Sequence, residues 1–334
     1  MDKNIQKITG YIQSNRLLQE GDRVLVAVSG GADSVFLLYV LKQLRGLFKI
    51  DIAVAHVNHL LRGNDSDQDE IFVKNMTKEL GVEFFAHTVD VKAVSKKKKL
   101  SLEDAARNVR YDFFLKIAKK HKFNKIAAAH TQDDQAETVL MRLLRGAGIA
   151  GLSAMKAKRK LEDIVLIRPL LEIRKKEIVV YLKKKKITSR VDESNLKTDF
   201  FRNKVRLRTL PYLEKTSPGI KTNLLRLSQQ ARHLDDFMSR EVEEHYKRIV
   251  KKSRSGKLRV EQNIFRELLP AVRTALIKRI IQEVKGNIKQ IDYKHIMIID
   301  EFILEQKSSH KTLDLPQGLR VGTKAKEVIF FNCA

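Results

Sequence analysis

Short apolar runs alternate with longer amphipathic runs along residues 1–150. The apolar runs are VLVAVS, KIDIAVAHVNH, VEFFAHTVD and KIAAAH, and after each the apolar side chains recur every three or four positions. Continuous apolar runs are typical of buried strands, and the three-to-four spacing is typical of helices. Strands that alternate with helices predict βαβ units, and therefore an α/β fold with a doubly wound parallel sheet.

The pattern changes further along the chain. Ser-Pro-Gly at 217–219 interrupts it, and one long amphipathic helix is then predicted over 220–249. Two further helical stretches follow, and TLDLPQGLRVGTKAKEVIFF is typical of short strands joined by glycine turns. We therefore predict a catalytic α/β domain over residues 1–218 and a mainly helical domain over residues 219–334 that ends in short strands.

Polar residues cluster where three predicted strands end. SGGADS follows the first strand, HVNH closes the second, and AHTQDD follows the fourth. Parallel sheets bind ligands at the carboxyl ends of their strands. The three clusters therefore predict one binding site at one edge of the sheet.

The SGGADS segment joins the first strand to a helix. It consists of Ser29, Gly30, Gly31, Ala32, Asp33 and Ser34. Small residues in this position present N–H groups and the positive end of a helix toward one point, which makes an anion site. A tight structural turn would explain one glycine, but not two glycines flanked by serines. The lysine of a Walker A loop and the spacing of a G-x-G-x-x-G loop are both missing. Because Asp33 would repel a bare phosphate, we expect it to bind magnesium or an ammonium group beside one.

The net charge predicts a polyanionic partner. The chain has 66 lysines and arginines against 40 aspartates and glutamates, a formal charge of +26. Such an excess favours nucleic acid over a membrane surface. The alternative is that the lysine runs at 96–99 and 183–186 are only solvated faces.

The single cysteine, Cys333, excludes an intrachain disulfide and a cysteine-based metal site or cluster. The N-terminal residues have no signal-peptide core, and no apolar stretch approaches the roughly 20 residues of a membrane span. We therefore expect a cytoplasmic protein without a membrane partner.

Several motifs resemble those of one known family. SGGADS is similar to the SGGxDS signature of the PP-loop ATP pyrophosphatases, which cleave ATP between the α and β phosphates. The segments HVNHLLRGNDSDQDE, EDAARNVRY, AAHTQDDQAETVLMRLLRGAGIAGL, RPLL and DESNLKTDFFRNKVR then follow in the order found in the tRNA(Ile)-lysidine synthases. The C-terminal part is only loosely similar to the tRNA-binding helical domain of those enzymes.

The resemblance implies a tRNA-modifying ligase. Such enzymes act on the wobble cytidine of the tRNA(Ile) that has a CAU anticodon. ATP, with Mg²⁺, activates C2 of the cytosine as an adenylate and releases pyrophosphate. The ε-amino group of free L-lysine then displaces AMP and gives lysidine.

The resemblance also suggests roles for residues on three elements. The six SGGADS residues would bind the ATP phosphates, and the backbone near Ala55 and His56 would read adenine. Arg110, with Arg107 three residues earlier on the same helix face, would contact phosphate oxygens or the cytosine edge. A solvated face is an equal alternative for Arg107.

His130, Asp134 and Glu137 lie at i, i+4 and i+7, on one face of the helix after the fourth strand. One aspartate at 133 or 134 would suffice to cap that helix, so the further acid and the histidine indicate chemistry. We expect Asp134 and Glu137 to bind lysine or metal, and His130 to orient the substrate or transfer a proton. Asp33 and Asp134 are the candidate Mg²⁺ ligands, and the spacing leaves open which acid binds which cation.

The last motif carries Arg202, Asn203 and Arg206. The resemblance favours an RNA-facing or active-site role for them, and the alternative is a domain junction held by its own salt bridges.

Three other functions compete with the ligase. A PP-loop enzyme that thiolates tRNA commonly uses cysteines, which disfavours it in a chain with one. A ligase for a small molecule does not explain the charge of +26. A non-catalytic, nucleotide-regulated RNA-binding protein does not explain acids that hinder polyanion binding.

Overall fold

The structure is a computed structural model. It describes residues 2–61, 63–190, 201–288, 290–305, 311–324 and 326–333. The chain divides into two compact units, Met1–Gln229 and Gln230–Ala334. This division falls within the long helix Ile220–Ile249, and the domain boundary that the sequence places at residue 218 stays a prediction.

The first unit is built on a six-stranded sheet. Its strands are β1 (Arg23–Ala27), β2 (Asp51–Asn58), β3 (Glu83–Thr88), β4 (Lys125–Ala127), β5 (Lys158–Leu161) and β6 (Ile164–Ile167). Their order is β3-β2-β1-β4-β6-β5, and every neighbouring pair is parallel except β5 with β6. The predicted strands are β1 to β4, and the prediction of an α/β fold with a parallel sheet is confirmed.

Helices connect these strands and follow them. They are α1 (Lys3–Ser14), α2 (Ala32–Phe48), α3 (Asn64–Glu79), α4 (Val91–Lys98), α5 (Leu102–Lys120), α6 (Gln132–Leu144), α7 (Ile149–Leu152), α8 (Lys175–Lys184), α9 (Phe201–Lys204), a π-helical turn (Val205–Thr209) and α10 (Leu210–Thr216).

Both faces of the sheet are covered. Val24 and Val26 of β1 join the core formed with α1, α2 and α8. Leu25, between them, packs with Phe113 and Phe114 of α5 on the opposite face. This alternation follows from the pleat of a strand, and it accounts for the unbroken apolar sequence of β1.

The order of the sheet reverses at β1. The chain adds β2 and β3 on one side of β1, and then returns to add β4, β6 and β5 on the other. Such a reversal opens a crevice at the carboxyl ends of the central strands, where α/β sheets bind ligands. The turns after β1 and β4 lead into α2 and α6, so the N-termini of these two helices border the crevice.

The antiparallel β5–β6 pair is not predicted by the sequence. β5 has the sequence KRKL, and only Leu161 is even half-buried. It lacks the apolar alternation by which strands are recognised. Charged side chains suit an edge strand, because they discourage pairing with another chain.

The second unit combines helices with an antiparallel sheet. The helices are the end of α11 (Ile220–Ile249), α12 (Gln262–Glu267), α13 (Pro270–Lys285) and α14 (Tyr293–Glu305). The strands are β7 (Val250–Lys252), β8 (Leu258–Glu261), β9 (Thr312–Asp314), β10 (Leu319–Lys324) and β11 (Glu327–Asn332), in the order β7-β8-β11-β10-β9. The predicted helices and C-terminal strands are therefore both present. No helix in the described ranges has the length and apolar character to cross a bilayer.

Candidate active site

The turn after β1 forms an anion-binding loop. The N–H of Val28 still donates to the carbonyl of Ala55 at 3.0 Å before the chain leaves the sheet. Gly30 then has a φ of +92°, a conformation that favours glycine. Gly31 caps α2 without a side-chain hydrogen bond to its first turn, so the N–H groups there are available to an anion.

Ser29 and Ser34 hold this loop closed. Oγ of Ser34 accepts a hydrogen bond from the N–H of Ser29 at 3.1 Å and donates one to the carbonyl of Gly31 at 2.9 Å. The two hydroxyl oxygens are 3.2 Å apart. The serines of the motif thus fix the shape of the loop, and these hydrogen bonds leave the N–H groups of Ala32 and Asp33 for a ligand.

A second segment is fastened to the loop. The N–H of Arg190 donates to the carbonyl of Gly30 at 2.9 Å, and its Nε donates to Oδ1 of Asp69 on α3 at 2.8 Å. Residues 191–200, which include the start of the DESNLKTDFFRNKVR motif, lie outside the described residues.

Asp33, in the first turn of α2, has an unusual carboxyl group. Burial raises its pKa to about 6, and the charge of Lys175 on α8 opposes that effect. Oδ2 of Asp33 lies 3.9 Å from Nζ of Lys175. A carboxyl that titrates near neutral pH can exchange its proton for a cation when a ligand binds.

One carboxylate oxygen of Asp134 caps a helix, and the other faces the crevice. Its Oδ2 accepts a hydrogen bond from the N–H of Thr131 at 2.9 Å, and Oγ1 of Thr131 accepts one from the N–H of Asp134 at 3.3 Å. This reciprocal pair is a capping box, so the helix-capping alternative is correct for one oxygen. The other oxygen, Oδ1, faces a group of cations.

Three cationic side chains converge on Asp134 and Glu137. Nζ of Lys175 lies 3.0 Å from Oδ1 of Asp134 and 3.9 Å from Oε1 of Glu137. Arg202 donates from Nε to Oε2 of Glu137 at 3.0 Å. Arg206 donates from Nε to Oε1 of Glu137 at 2.6 Å, and from Nη2 to Oε2 at 2.9 Å. Asp134 and Glu137 are only 7% and 2% exposed, so these cations offset a large desolvation cost.

Three acidic side chains face three cationic side chains at this site. We call its three carboxylates the acid cluster: Asp33, Asp134 and Glu137. Its cations among the described residues are Lys175, Arg202 and Arg206. Although burial opposes ionisation of Asp134, the charges of Lys175 and Arg202 hold its pKa well below the usual range. The predicted binding site for an amine is therefore already filled by side chains of the protein.

His130 is held in its neutral form. Burial, reinforced by the charges of Arg168, Arg202 and Arg110, lowers its pKa to about 3. Its Nδ1 is buried and has no hydrogen-bond partner within the described part of the chain. A neutral imidazole can donate or accept a hydrogen bond, but one with this pKa is a weak proton acceptor. Of the two predicted roles, burial of the neutral ring favours orientation over proton transfer.

Arg107 and Arg110 both lie against the ring of Tyr111 on α5, with their Cζ atoms 5.0 Å and 5.9 Å from its centroid. Burial lowers the pKa of Arg110. Its charge adds to burial in lowering the pKa of His59 to about 4. Arg110 therefore lies among the histidines of the crevice, whereas Arg107 is exposed, and their predicted contacts with phosphate or cytosine stay predictions.

The end of β2 borders the phosphate loop. The pairing of β1 with β2 ends at Ala27 and Ala55, while β2 continues to Asn58. His56 is buried, with Nδ1 lying 2.9 Å from the carbonyl of Val28. Its Nε2 has no partner in the described ranges.

A basic cavity of about 640 Å³ opens beside His130. Its described lining includes nine lysines and arginines and no acid. These are Arg107, Arg142, Arg145, Lys156, Lys158, Arg159, Lys160, Arg168 and Arg202. Arg168 also shapes the cavity by donating to the carbonyl of Lys156 at 2.6 Å. Its volume suits a nucleotide-sized ligand, and its charge suits a polyanion.

The structure brings most of the predicted residues together. The phosphate loop, the acid cluster, His130, Arg110, Arg202 and Arg206 surround one crevice, and Asn203 is buried on α9 beside Arg202 in sequence. The sequence did not single out Lys175, Arg168 or Arg190 as site residues. A usable signal existed for Arg168, because it opens the RPLL motif directly after an apolar strand, just as SGGADS follows β1.

Asp33 and Asp134 are the acids that could hold a magnesium ion shared with a substrate. Oxygens of Asp33 and Asp134 lie within 3.9 Å of one point, the Nζ of Lys175. Mg²⁺ is commonly held by one or two carboxylates together with substrate phosphates. No group of three or more histidine, cysteine, aspartate or glutamate residues in the described ranges is arranged to hold a metal ion by itself.

Comparisons with known proteins show which family the chain is similar to. Residues 1–213 match the family model of the PP-loop domain. The chain is 37% identical to the tRNA(Ile)-lysidine synthase of Clostridium perfringens, over 94% of this chain and 66% of that protein. It is 38% identical to the tRNA(Ile)-lysidine synthase of Geobacter sulfurreducens, over 99% and 69%. It is 33% identical to that of Clostridioides difficile, over 98% and 70%. The chain thus spans about two thirds of the length of these relatives.

A solved structure shares the fold. The tRNA thiolase NcsA from Methanococcus maripaludis, solved with its 4Fe-4S cluster, matches with a TM-score of 0.57 and 20% identity. The match covers 69% of this chain and 79% of that one. At this identity the likeness concerns the fold alone.

Proposed function

Because this chain belongs to the tRNA(Ile)-lysidine synthase family of PP-loop proteins, we propose that it is a tRNA-modifying ligase. The oxygen on C2 of the wobble cytidine, in the tRNA(Ile) with a CAU anticodon, attacks the α-phosphorus of ATP and pyrophosphate leaves. The amino group of free L-lysine then attacks C2, loses a proton, and AMP leaves with that oxygen. One observation carries the proposal. Asp33 of the phosphate loop and Asp134 of the amine site lie 3.9 Å and 3.0 Å from the same ammonium nitrogen, so the two half-reactions can share one place.

Adenylation uses the phosphate loop. The N–H groups of the loop and of the first turn of α2 bind the pyrophosphate as it leaves. Asp33 would hold a Mg²⁺ ion, which when bound neutralises charge on the phosphates. In a parallel strand, the backbone N–H and C=O groups of alternate residues face the same neighbouring strand. The groups of Val57 therefore face the side of β1, but the pairing with β1 ends at Ala55, so they are free to bind a ligand. We therefore place adenine beside Val57, two residues beyond Ala55.

Lysine transfer uses the acid cluster. The environments of Asp33 and Asp134 push their pKa values in opposite directions, which separates two roles. Asp134 stays ionised and binds the ammonium. Asp33, with a pKa of about 6, is the better proton acceptor once pyrophosphate has left. Neutral His130 orients the cytosine or the amine through a hydrogen bond.

The RNA enters through the basic cavity. Its lysines and arginines bind phosphates and position the strand without reading its sequence. Recognition of the anticodon needs contacts to unstacked bases, for which Arg110 and Arg202, next to His130, are our candidates. Residues 219–334 would add further tRNA contacts.

The test supplies purified protein with ATP, Mg²⁺, radiolabelled L-lysine and a transcript of tRNA(Ile) with the CAU anticodon. We expect label in the RNA, together with one AMP and one pyrophosphate for each lysine. A transcript with a GAU anticodon is the matched control and should stay unlabelled. Adenylate formation without any lysine transfer would contradict the proposal.

A further inference from the structure

The ammonium group of Lys175 lies where the ammonium group of the substrate would have to bind. Its Nζ is 3.0 Å from Asp134, 3.9 Å from Glu137 and 3.9 Å from Asp33. This group is chemically the same as the ε-ammonium of free lysine. We propose that Lys175 fills the amine site as an internal substitute for the substrate, and that free lysine binds by displacing it. The inference rests on the function proposed above.

Occupancy of the site requires such an exchange. The acid cluster faces three cations in the described part of the chain, and two of its carboxylates are almost fully buried. Nζ of Lys175 already lies 3.0 Å from Oδ1 of Asp134, so a second ammonium at that position would meet a like charge where little water screens it. Free lysine therefore has to replace one of the cations rather than join them.

Lys175 is the most weakly held of the three. Arg206 makes three hydrogen bonds to the two carboxylates on α6, and Arg202 makes two. Lys175 makes one, to Asp134, and its other two distances exceed hydrogen-bond range. A guanidinium binds two oxygens with a fixed fork, whereas an ammonium acts as a point charge. Displacing Lys175 therefore breaks one hydrogen bond, which the incoming lysine forms again.

The backbone can stay in place during this exchange. The N–H of Lys175 donates to Oδ2 of Asp133 at 2.8 Å, and the N–H of Arg174 donates to Oε2 of Glu177 at 2.8 Å. These bonds fix the first turn of α8. The Lys175 side chain is 30% exposed, so rotation about its own bonds takes the ammonium to water. Such rotamer changes are fast compared with catalysis.

The experiment is a calorimetric titration of the full chain with L-lysine, without ATP and with EDTA to remove divalent ions. Lys175→Met removes the internal ammonium and keeps a side chain of similar length. If Lys175 fills the site nine-tenths of the time, the apparent Kd is about tenfold above the intrinsic one. We therefore expect Lys175→Met to lower the Kd about tenfold. Lys176→Met, at the exposed neighbouring lysine, should leave the Kd unchanged. An unchanged or higher Kd in Lys175→Met overturns the inference.

A second variant covers the case in which Lys175→Met fails to fold. Lys175→Arg keeps the positive charge and places in the site a guanidinium group, which binds carboxylates more tightly than an ammonium does. We therefore expect a severalfold higher Kd for lysine. A Kd equal to or below that of the wild type overturns the inference. If all variants transfer lysine to tRNA and bind lysine with the same Kd, only this inference is wrong. An absence of lysine binding in every variant, together with no transfer, removes the proposed function as well.

Discussion

Arg206 binds both oxygens of Glu137, with Nε 2.6 Å from Oε1 and Nη2 2.9 Å from Oε2. Glu137 is 2% exposed, and Arg206 lies on the π-helical turn Val205–Thr209. Such turns are rare and often occur at functional sites. This contact joins the turn to α6 and fixes the position of one member of the acid cluster.

Arg206→Lys should destabilise the first unit, because an ammonium cannot bind both oxygens of Glu137. In a double-mutant cycle with Glu137→Gln, we expect a coupling of about 1.5–3 kcal/mol in the free energy of unfolding. Urea denaturation of the wild type, both single variants and the double variant measures it. Arg208→Lys, at an exposed arginine of the same turn, is the control and should change stability by less than about 0.5 kcal/mol. Additive effects would contradict the prediction.

Asp33→Asn should stabilise the ligand-free protein at pH 8 but not at pH 4. The pKa of Asp33 is raised by burial from 3.8 to about 6, so the folded protein binds this proton more tightly than the unfolded chain does. The stability that the folded protein gains from this proton is fully present below pH 4 and is lost as pH rises through 6. Asparagine cannot ionise, so we expect a gain on the order of 1–2 kcal/mol at pH 8, after allowance for solvent screening. Thermal melts from pH 4 to 8 test this, and a pH-independent difference would contradict it. The same variant should release little pyrophosphate.

His130→Asn should make the protein less sensitive to acid. The pKa of His130 is about 3 in the folded protein, chiefly because of burial, against 6.5 for an ordinary histidine. Its contribution to stability is present above pH 6.5 and is lost as pH falls below that value. We expect a smaller drop in Tm between pH 7.5 and pH 5 in His130→Asn than in the wild type. His233→Asn, at an exposed histidine, is the control. An imidazole NMR signal of His130 that titrates near pH 6.5 would refute the neutral assignment.

The sequence predicts the sheet and half of the site, for physical reasons. Buried parallel strands leave continuous apolar runs, so β1 to β4 are visible one by one. Asp134 and Glu137 share a helix face, and their spacing shows it. The cations that neutralise them come from α8, α9 and the π-helical turn, and no local pattern connects those elements to α6. Among 66 lysines and arginines, the motif singles out Arg202 and Arg206, but only the three-dimensional packing selects Lys175 and pairs all three with these carboxylates.

Neutralising the edge strand should weaken RNA binding, most strongly at low salt. Lys158 and Lys160 line the basic cavity from β5. Each lost phosphate contact lowers the slope of log K against log salt by about 0.7–0.9. We expect Lys158→Ala with Lys160→Ala to reduce that slope by about 1–2 in filter-binding assays with tRNA. Lys97→Ala with Lys98→Ala, on α4 outside the cavity, is the matched control. A slope unchanged by the β5 pair would place the RNA elsewhere.

Cys333→Ser should leave lysidine formation unchanged. Cys333 is exposed, and displacement of AMP by an amine uses no thiol. The measurement is label transfer from lysine to tRNA, with the wild type alongside. Loss of the product in a folded variant, or incorporation of sulfur into the RNA, would favour the thiolation alternative.

The separation of Glu137 and Arg206 along the chain has a consequence for synthesis on the ribosome. The two residues are 69 positions apart, so the carboxylate leaves the exit tunnel well before its partner. At about 5–20 residues per second, the nascent chain waits roughly 3–14 s for the arginine. During that time the carboxylates of α6 have no arginine to pair with, so burying them costs free energy. The packing of α6 against the sheet is therefore delayed until the π-helical turn has been translated. A ribosome that stalls between these two codons therefore presents an incompletely folded sheet domain to chaperones and proteases.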